Sequence, residues 1–315
     1  MIDARDSMKA TIGAMLDGTM GALEATEFLS AQELHRIMPE QLAGAVDAVM
    51  ARANPFPAFP DALDCCGTGG DGKHTLNVST ATAIVAAACG VQMAKHGNRA
   101  VSSSSGSADV LAALGVNIEA STRTLEKCLR EANIAFLFAP NFHPGFAHVA
   151  PLRKAIGKRT IFNLLGPLCN PARVNRQLIG VFDKALIQTY AASCQLLGRT
   201  NVTIVHGEDG VDECSISAAT HTNTHTITPL DAGLQYHAPD ALAGGDAEHN
   251  ALALTALLEG VPGAYRDAVL LNTAALLMVA DVADDLRSAA ALAAEAIDSG
   301  RSLAVLGKLK RVSHE

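Results

Sequence analysis

The sequence predicts an α/β protein: a small N-terminal helical domain (1–60) followed by a larger α/β domain (61–315) with a mainly parallel central sheet. Three observations carry that expectation. Residues 1–54 read as short amphipathic helices. "NPFPAFPD" (54–61) then places three prolines within six residues, which stops any helix and marks a linker. Beyond it, short apolar runs alternate with Ala-rich helical patterns, the rhythm of strand–helix–strand units.

Taken in order, "PEQLAGAVDAVMARA" is a helix, with Leu42, Val46 and Val49 at helical spacing behind Pro39. "ALDCCG" (62–67) is the first strand, and it runs into a glycine-rich loop. "STATAIVAAACG" is a helix closed by Gly90. Further strands are expected at "VQMAKHG", "IAFLFAP", "QLIGVF", "VTIVHG" and "HTITPL". Helices are expected at 106–115, 121–132 and 184–198 and through most of 246–310. "HTNTH" (221–225) lacks the acids or cysteines of a zinc site and reads as an exposed loop or strand edge.

Composition narrows the class. A formal charge of −8 over 315 residues offers no basic face to nucleic acid or anionic lipid. The most apolar stretch, "AVLLNTAALLMVADVA" (268–283), is broken by Asn272 and Thr273 and falls short of the roughly 20 apolar residues a membrane helix needs. Seven scattered cysteines without a C-x-x-C pair read as reduced and intracellular. The start "MIDARDSMKA" has no apolar core of a signal peptide. A cytoplasmic protein without nucleic-acid or membrane partners is expected.

Four stretches carry chemistry. "GTGGDG" (67–72) fits the dinucleotide pattern G-x-G-x-x-G, but the acid needed about 20 residues on is missing from "GVQMAKHGNR". It also nearly fits a P-loop, but His74 stands where a Ser or Thr should meet the metal. What remains is general: glycines leading to a helix started by Asn77, Ser79 and Thr80 point N–H groups and a helix dipole at an anion. "AKHGNRAVSSSSGSADVL" (94–111) supplies Lys95, His96 and Arg99 and a hydroxyl-rich loop before another helix start, suggesting a ligand with two phosphate groups. "VTIVHGEDGVDECS" (202–215) delivers His206, Glu208, Asp209, Asp212 and Glu213 from a strand end into a glycine-containing loop, its adjacent carboxylates suited to Mg²⁺ or equally to a solvated acidic turn. In 139–171, Arg153 could fork onto a carboxylate or form a surface ion pair.

Together these stretches resemble the anthranilate phosphoribosyltransferases. The resemblance rests on "GTGGDG..T.N.ST", "KHGNR..SS.SGSADVL.ALG", "FLFAP.FHP", "R.IFNLLGPL.NP", "HG.DG.DE.S" and "GGDA..N", in that order. It implies the nucleoside phosphorylase/phosphoribosyltransferase type of fold, with part of 145–175 packed against the helical domain. By position, Gly67, Gly70, Asp71, Thr75, Asn77, Ser79, Thr80, Lys95, His96, Gly97, Asn98, Arg99, Ala100, Val101, Ser102, Ser103 and Ser107 would contact phosphoribosyl pyrophosphate (PRPP). Gly67, Asn98 and Arg153 match residues that bind anthranilate, with His96, His143 and Pro167 lining its channel. Ser79, Asp212 and Glu213 match the Mg²⁺ ligands. A homodimer through the helical domains is implied. The chain departs from the family in its first 55 residues, at Leu76, where an aromatic is common, and at Ser104, where lysine often stands.

The implied reaction gives N-(5-phosphoribosyl)anthranilate and pyrophosphate, in tryptophan biosynthesis. The aromatic amine is neutral at pH 7 and can attack without a strong general base, so no covalent nucleophile or general base is assigned. The rival readings are a pyrimidine nucleoside phosphorylase-like enzyme, a PRPP enzyme with another aromatic acceptor, and a non-catalytic nucleic-acid-binding relative.

Overall fold

The computed structural model describes residues 3–100 and 104–315. The chain begins with α1 (Ala4–Leu16), α2 (Ala22–Ala31) and α3 (Pro39–Met50). After the proline-rich crossing come β1 (Leu63–Gly67), α4 (Val78–Ala88), β2 (Met93–Gly97), α5 (Ser107–Ala113), α6 (Thr122–Ala132) and β3 (Ile134–Phe138). The short α7 (Ala139–Phe142), α8 (Phe146–Ile156) and the short α9 (Phe162–Leu165) lead to β4 (Arg176–Gly180), α10 (Leu186–Leu196) and β5 (Asn201–Gly207). Two short strands follow, β6 (Thr220–Thr222) and β7 (Thr226–Ile227), then α11 (Ala247–Leu258), α12 (Ala264–Val279), α13 (Leu286–Asp298) and α14 (Arg301–Ser313).

Local chemistry sets the helix ends. Asp3 caps α1 by accepting from the Arg5 N–H, and Pro39 opens α3 where a missing N–H costs nothing. The two helices approach so closely that a Cβ on Gly44 would overlap the Arg5 carbonyl oxygen, so glycine is required there. Arg5 then closes the contact with a 2.7 Å ion pair to Asp47. The linker runs without helix, as its prolines dictate, and is pinned by Asn54 N–H to Phe142 O (2.8 Å) and Phe59 N–H to Ala172 O (2.8 Å).

The seven strands lie in the order β3-β2-β1-β4-β5-β6-β7. The first five are parallel, and β6 and β7 add antiparallel to the edge. The expected mainly parallel sheet is therefore present. "HTNTH" begins inside β6, next to the edge strand β7, while "HTITPL" contributes only two strand residues, those of β7. Alternation along the strands divides the apolar side chains between two faces. In β4, Leu178 joins a core with α4, α6, α12 and α13, whereas Ile179 joins a second core with α1, α3 and α10. β5 repeats the split with Val205 and Ile204. Val149, Phe162, Leu164, Leu165 and Leu168 also belong to the second core, so α8 and α9 pack with the N-terminal helices.

The apolar run at 268–283 is mostly α12, buried along nearly its whole length. Among the described residues no helix is long and apolar enough to cross a membrane. All seven cysteines are free, as expected, and burial pushes the thiol pKa values of Cys89, Cys128 and Cys194 up to about 11, away from reactivity.

Candidate active site

The strand order reverses between β1 and β4, which makes the space beyond their carboxyl ends a topological switch point where α/β proteins bind ligands. Both strands end in glycine, Gly67 and Gly180, paired in register. The acidic loop after β5 folds back over these two ends. A Cβ on Gly67 would overlap the Asp212 carboxylate, and one on Gly180 would overlap the Asp212 carbonyl. The two glycines therefore provide the space in which Asp212 lies. Gly67 was read from sequence as part of the anion loop; Gly180 was missed, because nothing in its neighbourhood signals that a distant loop lands there.

From this position the two acids reach different partners. Asp212 Oδ2 accepts the Gly69 N–H (2.6 Å), and Glu213 Oε1 accepts the Ser79 N–H (3.2 Å) in the first turn of α4. Burial and the nearby Asp71 carboxylate push Asp212 up to about 6. Burial, then the charge of Asp212, pushes Glu213 up to about 8, with Lys95 opposing. Three carboxylates crowded in one region favour a cation. These hard oxygens suit Mg²⁺. Among the described residues no group of three or more His, Cys, Asp or Glu is arranged to cage a metal alone. A cation here would have to share oxygens with an anionic ligand, the habit of Mg²⁺.

The glycine loop is shaped for that anion. Gly69, Gly70 and Gly72 have φ of +67°, +72° and +74°, a backbone region closed to most side chains. The Thr68 N–H donates to Gly180 O (2.9 Å) and the Lys73 N–H to Asp71 Oδ1 (3.0 Å). Among the described residues the N–H groups of Gly70, Asp71 and Gly72 have no protein acceptor. They remain free donors beside the start of α4.

The other expected residues divide into those at the surface of this cleft and those beneath it. Thr75 bridges to Ala243, and Asn77 is held from both sides: Asn250 donates to its Oδ1 (2.9 Å) and Tyr265 to its carbonyl (3.1 Å). Thr80 is buried within the packed face of α4. Lys95 is 2% exposed and donates to Cys65 O (2.7 Å) and His96 O (3.3 Å), so its charge acts from below the loop. Asp64, fully buried, holds the strand ends together by accepting from the His96 N–H (3.2 Å) and Asn170 Nδ2 (2.9 Å). Arg99 is paired with Asp109 (2.9 Å), and Asp109 also takes the Ala100 and Gly106 N–H groups at the start of α5. The Ser107 hydroxyl donates to Asn98 O (3.3 Å) and fills the space a Cβ on Gly97 would need. Val101, Ser102 and Ser103 lie outside the described residues.

A second group lies along an aromatic path. His96 and His143 meet edge to face at 5.4 Å, His143 meets Phe146 at 6.0 Å, and Phe146 meets Phe162 at 5.5 Å. The Arg153 guanidinium lies 6.0 Å from the Phe162 ring centroid. His96 Nδ1 bonds Gly166 O (3.1 Å) and His143 Nε2 bonds Cys169 O (2.8 Å), so the loop carrying Pro167 orients both rings. His96 Nε2 and His143 Nδ1 are buried and have no partner among the described residues. Burial and the neighbouring ring lower His96 to about 3, and burial lowers His143 to about 4, so both are neutral at pH 7. Arg153 is half-buried, and its pKa is lowered by burial alone. Among the described residues no carboxylate lies within ion-pair distance of it. The sequence left a surface ion pair open for Arg153, and the structure supplies none.

One residue that positions the acidic loop carried no functional signal in the sequence, and one acid of the loop's candidate set clamps the loop itself. Asn272, read there as a break in an apolar run, exchanges two 2.9 Å hydrogen bonds with the Cys214 backbone and so anchors the residue after Glu213. Asp209 accepts from Ser215 Oγ (2.7 Å) and from Ser217 Oγ, clamping the base of the same loop.

Comparison with known proteins agrees with this geometry. Residues 59–303 match the model of the glycosyl transferase family, a/b domain. The chain is 47% identical over 313 residues to an anthranilate phosphoribosyltransferase of Erythrobacter litoralis, covering 97% of this chain and 95% of that one. A Rhodopseudomonas palustris protein of the same name is 47% identical over 317 residues, covering 98% and 94%. The crystal structure of anthranilate phosphoribosyltransferase from Thermus thermophilus superposes with a TM-score of 0.94 at 36% identity, over all of this chain and 97% of that one. That alignment takes in the N-terminal helices, where the sequence departed most from the family pattern. The Saccharomyces cerevisiae enzyme in complex with PRPP and Mg superposes at 0.89 with 30% identity, covering 99% and 93%. Identity near one half along almost the whole chain, on a shared fold, settles the family: the chain belongs to the anthranilate phosphoribosyltransferases.

Proposed function

We propose that this protein transfers the 5-phosphoribosyl group of PRPP to the amine of anthranilate, giving N-(5-phosphoribosyl)anthranilate and pyrophosphate, in tryptophan biosynthesis. The observation that carries this reading is the pairing of two unlike sites at the switch point. Free loop amides follow the Gly69–Asp212 bond on one side, and a half-buried Arg153, without an acid partner among the described residues, lies against an aromatic path on the other. The first suits a diphosphate and the second a planar aromatic carboxylate.

In this reading the Gly70, Asp71 and Gly72 N–H groups and the start of α4 bind the diphosphate. Lys95, from below, adds positive potential where negative charge develops on the leaving pyrophosphate. Asp212, Glu213 and Ser79 would hold Mg²⁺, which when bound neutralises charge on the diphosphate. Arg153 forks onto the anthranilate carboxylate and so directs the amine toward the ribose. The neutral rings of His96 and His143, with Pro167, exclude water from that path. Positioning does most of the work, since the amine attacks in its neutral form.

We further infer a cytoplasmic homodimer formed through the N-terminal helices, divided as 1–60 with part of 145–175 against 61–315. The exposed Leu23 on α2 supports the first, and the shared core of α1, α3, α8 and α9 supports the second. The function is tested by mixing purified protein, PRPP, Mg²⁺ and anthranilate and following the loss of anthranilate fluorescence. No loss, with phosphorolysis of a pyrimidine nucleoside instead, would move the assignment to the phosphorylases.

A further inference from the structure

Arg159 lies two residues beyond Gly157, which ends α8 with φ +65°. Its guanidinium stacks 4.1 Å from the Phe182 ring centroid, and one of its terminal nitrogens donates to Gly70 O. Phe182 is itself tied to the glycine loop, because its N–H donates to Thr68 Oγ1 (3.1 Å). Arg5, Arg52, Arg99, Arg176 and Arg266 all pair with acids. Among the described residues Arg159 has no such partner and directs its donors to a backbone carbonyl instead.

We propose that Arg159 is a positioning residue that latches the glycine loop, fixing the Gly70 carbonyl so that the neighbouring free amides face the diphosphate. The proposal rests on the phosphoribosyl-transfer reading for its substrate, though not for its geometry. The loop has little packing of its own: none of the described residues lies within 4 Å of where a Cβ would stand on Gly69 or Gly72. Asp212 fixes it at the Gly69 N–H, and Arg159 fixes it one residue on. Fixing both points orients the three free amides before the ligand arrives, which lowers the ordering cost of binding. Donation by a cation to Gly70 C=O also polarises the Gly70–Asp71 peptide and strengthens the Asp71 N–H as a donor. Because Arg153 lies in the last turn of α8, six residues before Arg159, one short segment carries both the latch and the arginine of the aromatic path.

The test uses the full-length protein and the variants Arg159→Ala, Arg159→Lys and Phe182→Leu. Amide hydrogen exchange across 68–73 is read in the ligand-free state, and KM for each substrate and kcat are read with Mg²⁺ present. Arg159→Ala is expected to speed loop exchange by about tenfold and to raise KM for PRPP about tenfold. KM for anthranilate should stay within about twofold. Arg159→Lys keeps a donor but loses the flat stacking face, so it should fall between wild type and alanine. Phe182→Leu should move both readouts in the same direction. A raised PRPP KM with unchanged loop exchange would make Arg159 a direct ligand and overturn the latch. Unchanged KM would overturn it as well. A wild-type protein inactive on PRPP and anthranilate would sink the transfer reading, leaving loop exchange to judge the latch separately.

Discussion

Gly180 offers the sharpest test of how the site is built. In Gly180→Ala the new Cβ would overlap the carbonyl carbon and oxygen of Asp212 and lie 3.2 Å from its Cα. The obstacle is backbone, so no rotamer change relieves it. The acidic loop must retreat on the order of 1–2 Å, and a misplacement of that size can cost about 10²-fold in rate. The 2.6 Å bond from Gly69 N–H to Asp212 is the first casualty. A hydrogen bond to a charged group contributes about 1.5–3 kcal/mol, or roughly 10- to 150-fold in an equilibrium. Kcat should therefore fall by about 10²-fold, with a Mg²⁺ requirement raised at least about tenfold. Overpacking at a folded core should cost about 1–3 kcal/mol. The assay is anthranilate fluorescence loss against Mg²⁺ at fixed PRPP, with a thermal melt on the same sample. Gly307→Ala, in open space on α14, is the control and should leave activity unchanged. A folded Gly180→Ala protein with wild-type rate and Mg²⁺ dependence would refute the claim that the missing side chain makes room for Asp212.

Arg153→Ala should lower kcat/KM for anthranilate about 10- to 150-fold while changing PRPP use far less; equal losses in steady-state kinetics would assign Arg153 to folding. Replacing Asp212 by Asn and Glu213 by Gln together should preserve the melt, slow turnover and raise the Mg²⁺ requirement, and an unchanged Mg²⁺ titration would return the loop to a solvated turn. His143 has a folded pKa of about 4 against an ordinary 6.5, so the unfolded chain binds more protons between those values and stability is lost as pH falls through that window. At pH 5 the loss is about 2 kcal/mol. Asp212 and Glu213, raised, act in the opposite sense, so the quantity to measure is a difference. In urea melts, His143→Gln should gain about 2 kcal/mol on wild type between pH 7.5 and pH 5, and no gain would show that His143 is not held neutral. Light scattering should give a dimer mass at micromolar concentration; an active monomer would remove the dimer.

The sequence by itself determined the elements and the ligand class. Period-two and period-3.6 patterning is local, so β1 to β5 and the long helices were legible, as was the helix stop at the three prolines. The glycine run and the Asp212–Glu213 pair were legible for the same reason, since a φ above zero and a hard oxygen donor depend on residue type. The resemblance of six motifs in order then supplied the substrates. What only the tertiary structure decided depends on residues far apart in the chain. Gly180 matters because a loop some thirty residues later lands on it. Asn272 reads as a flaw in an apolar helix until Cys214 is packed against it. Arg99 looks as available as Arg153 in the sequence, yet Asp109 takes the first while, among the described residues, no acid reaches the second. Lys95 reads as a cation in a phosphate-facing loop and is 2% exposed, because β2 lies between two parallel neighbours and its ammonium finds the carbonyls of Cys65 on β1 and His96 on β2 itself. A residue's type fixes what it can bond, but its partner is fixed by which strand ends and loops the fold brings to the same side of the sheet.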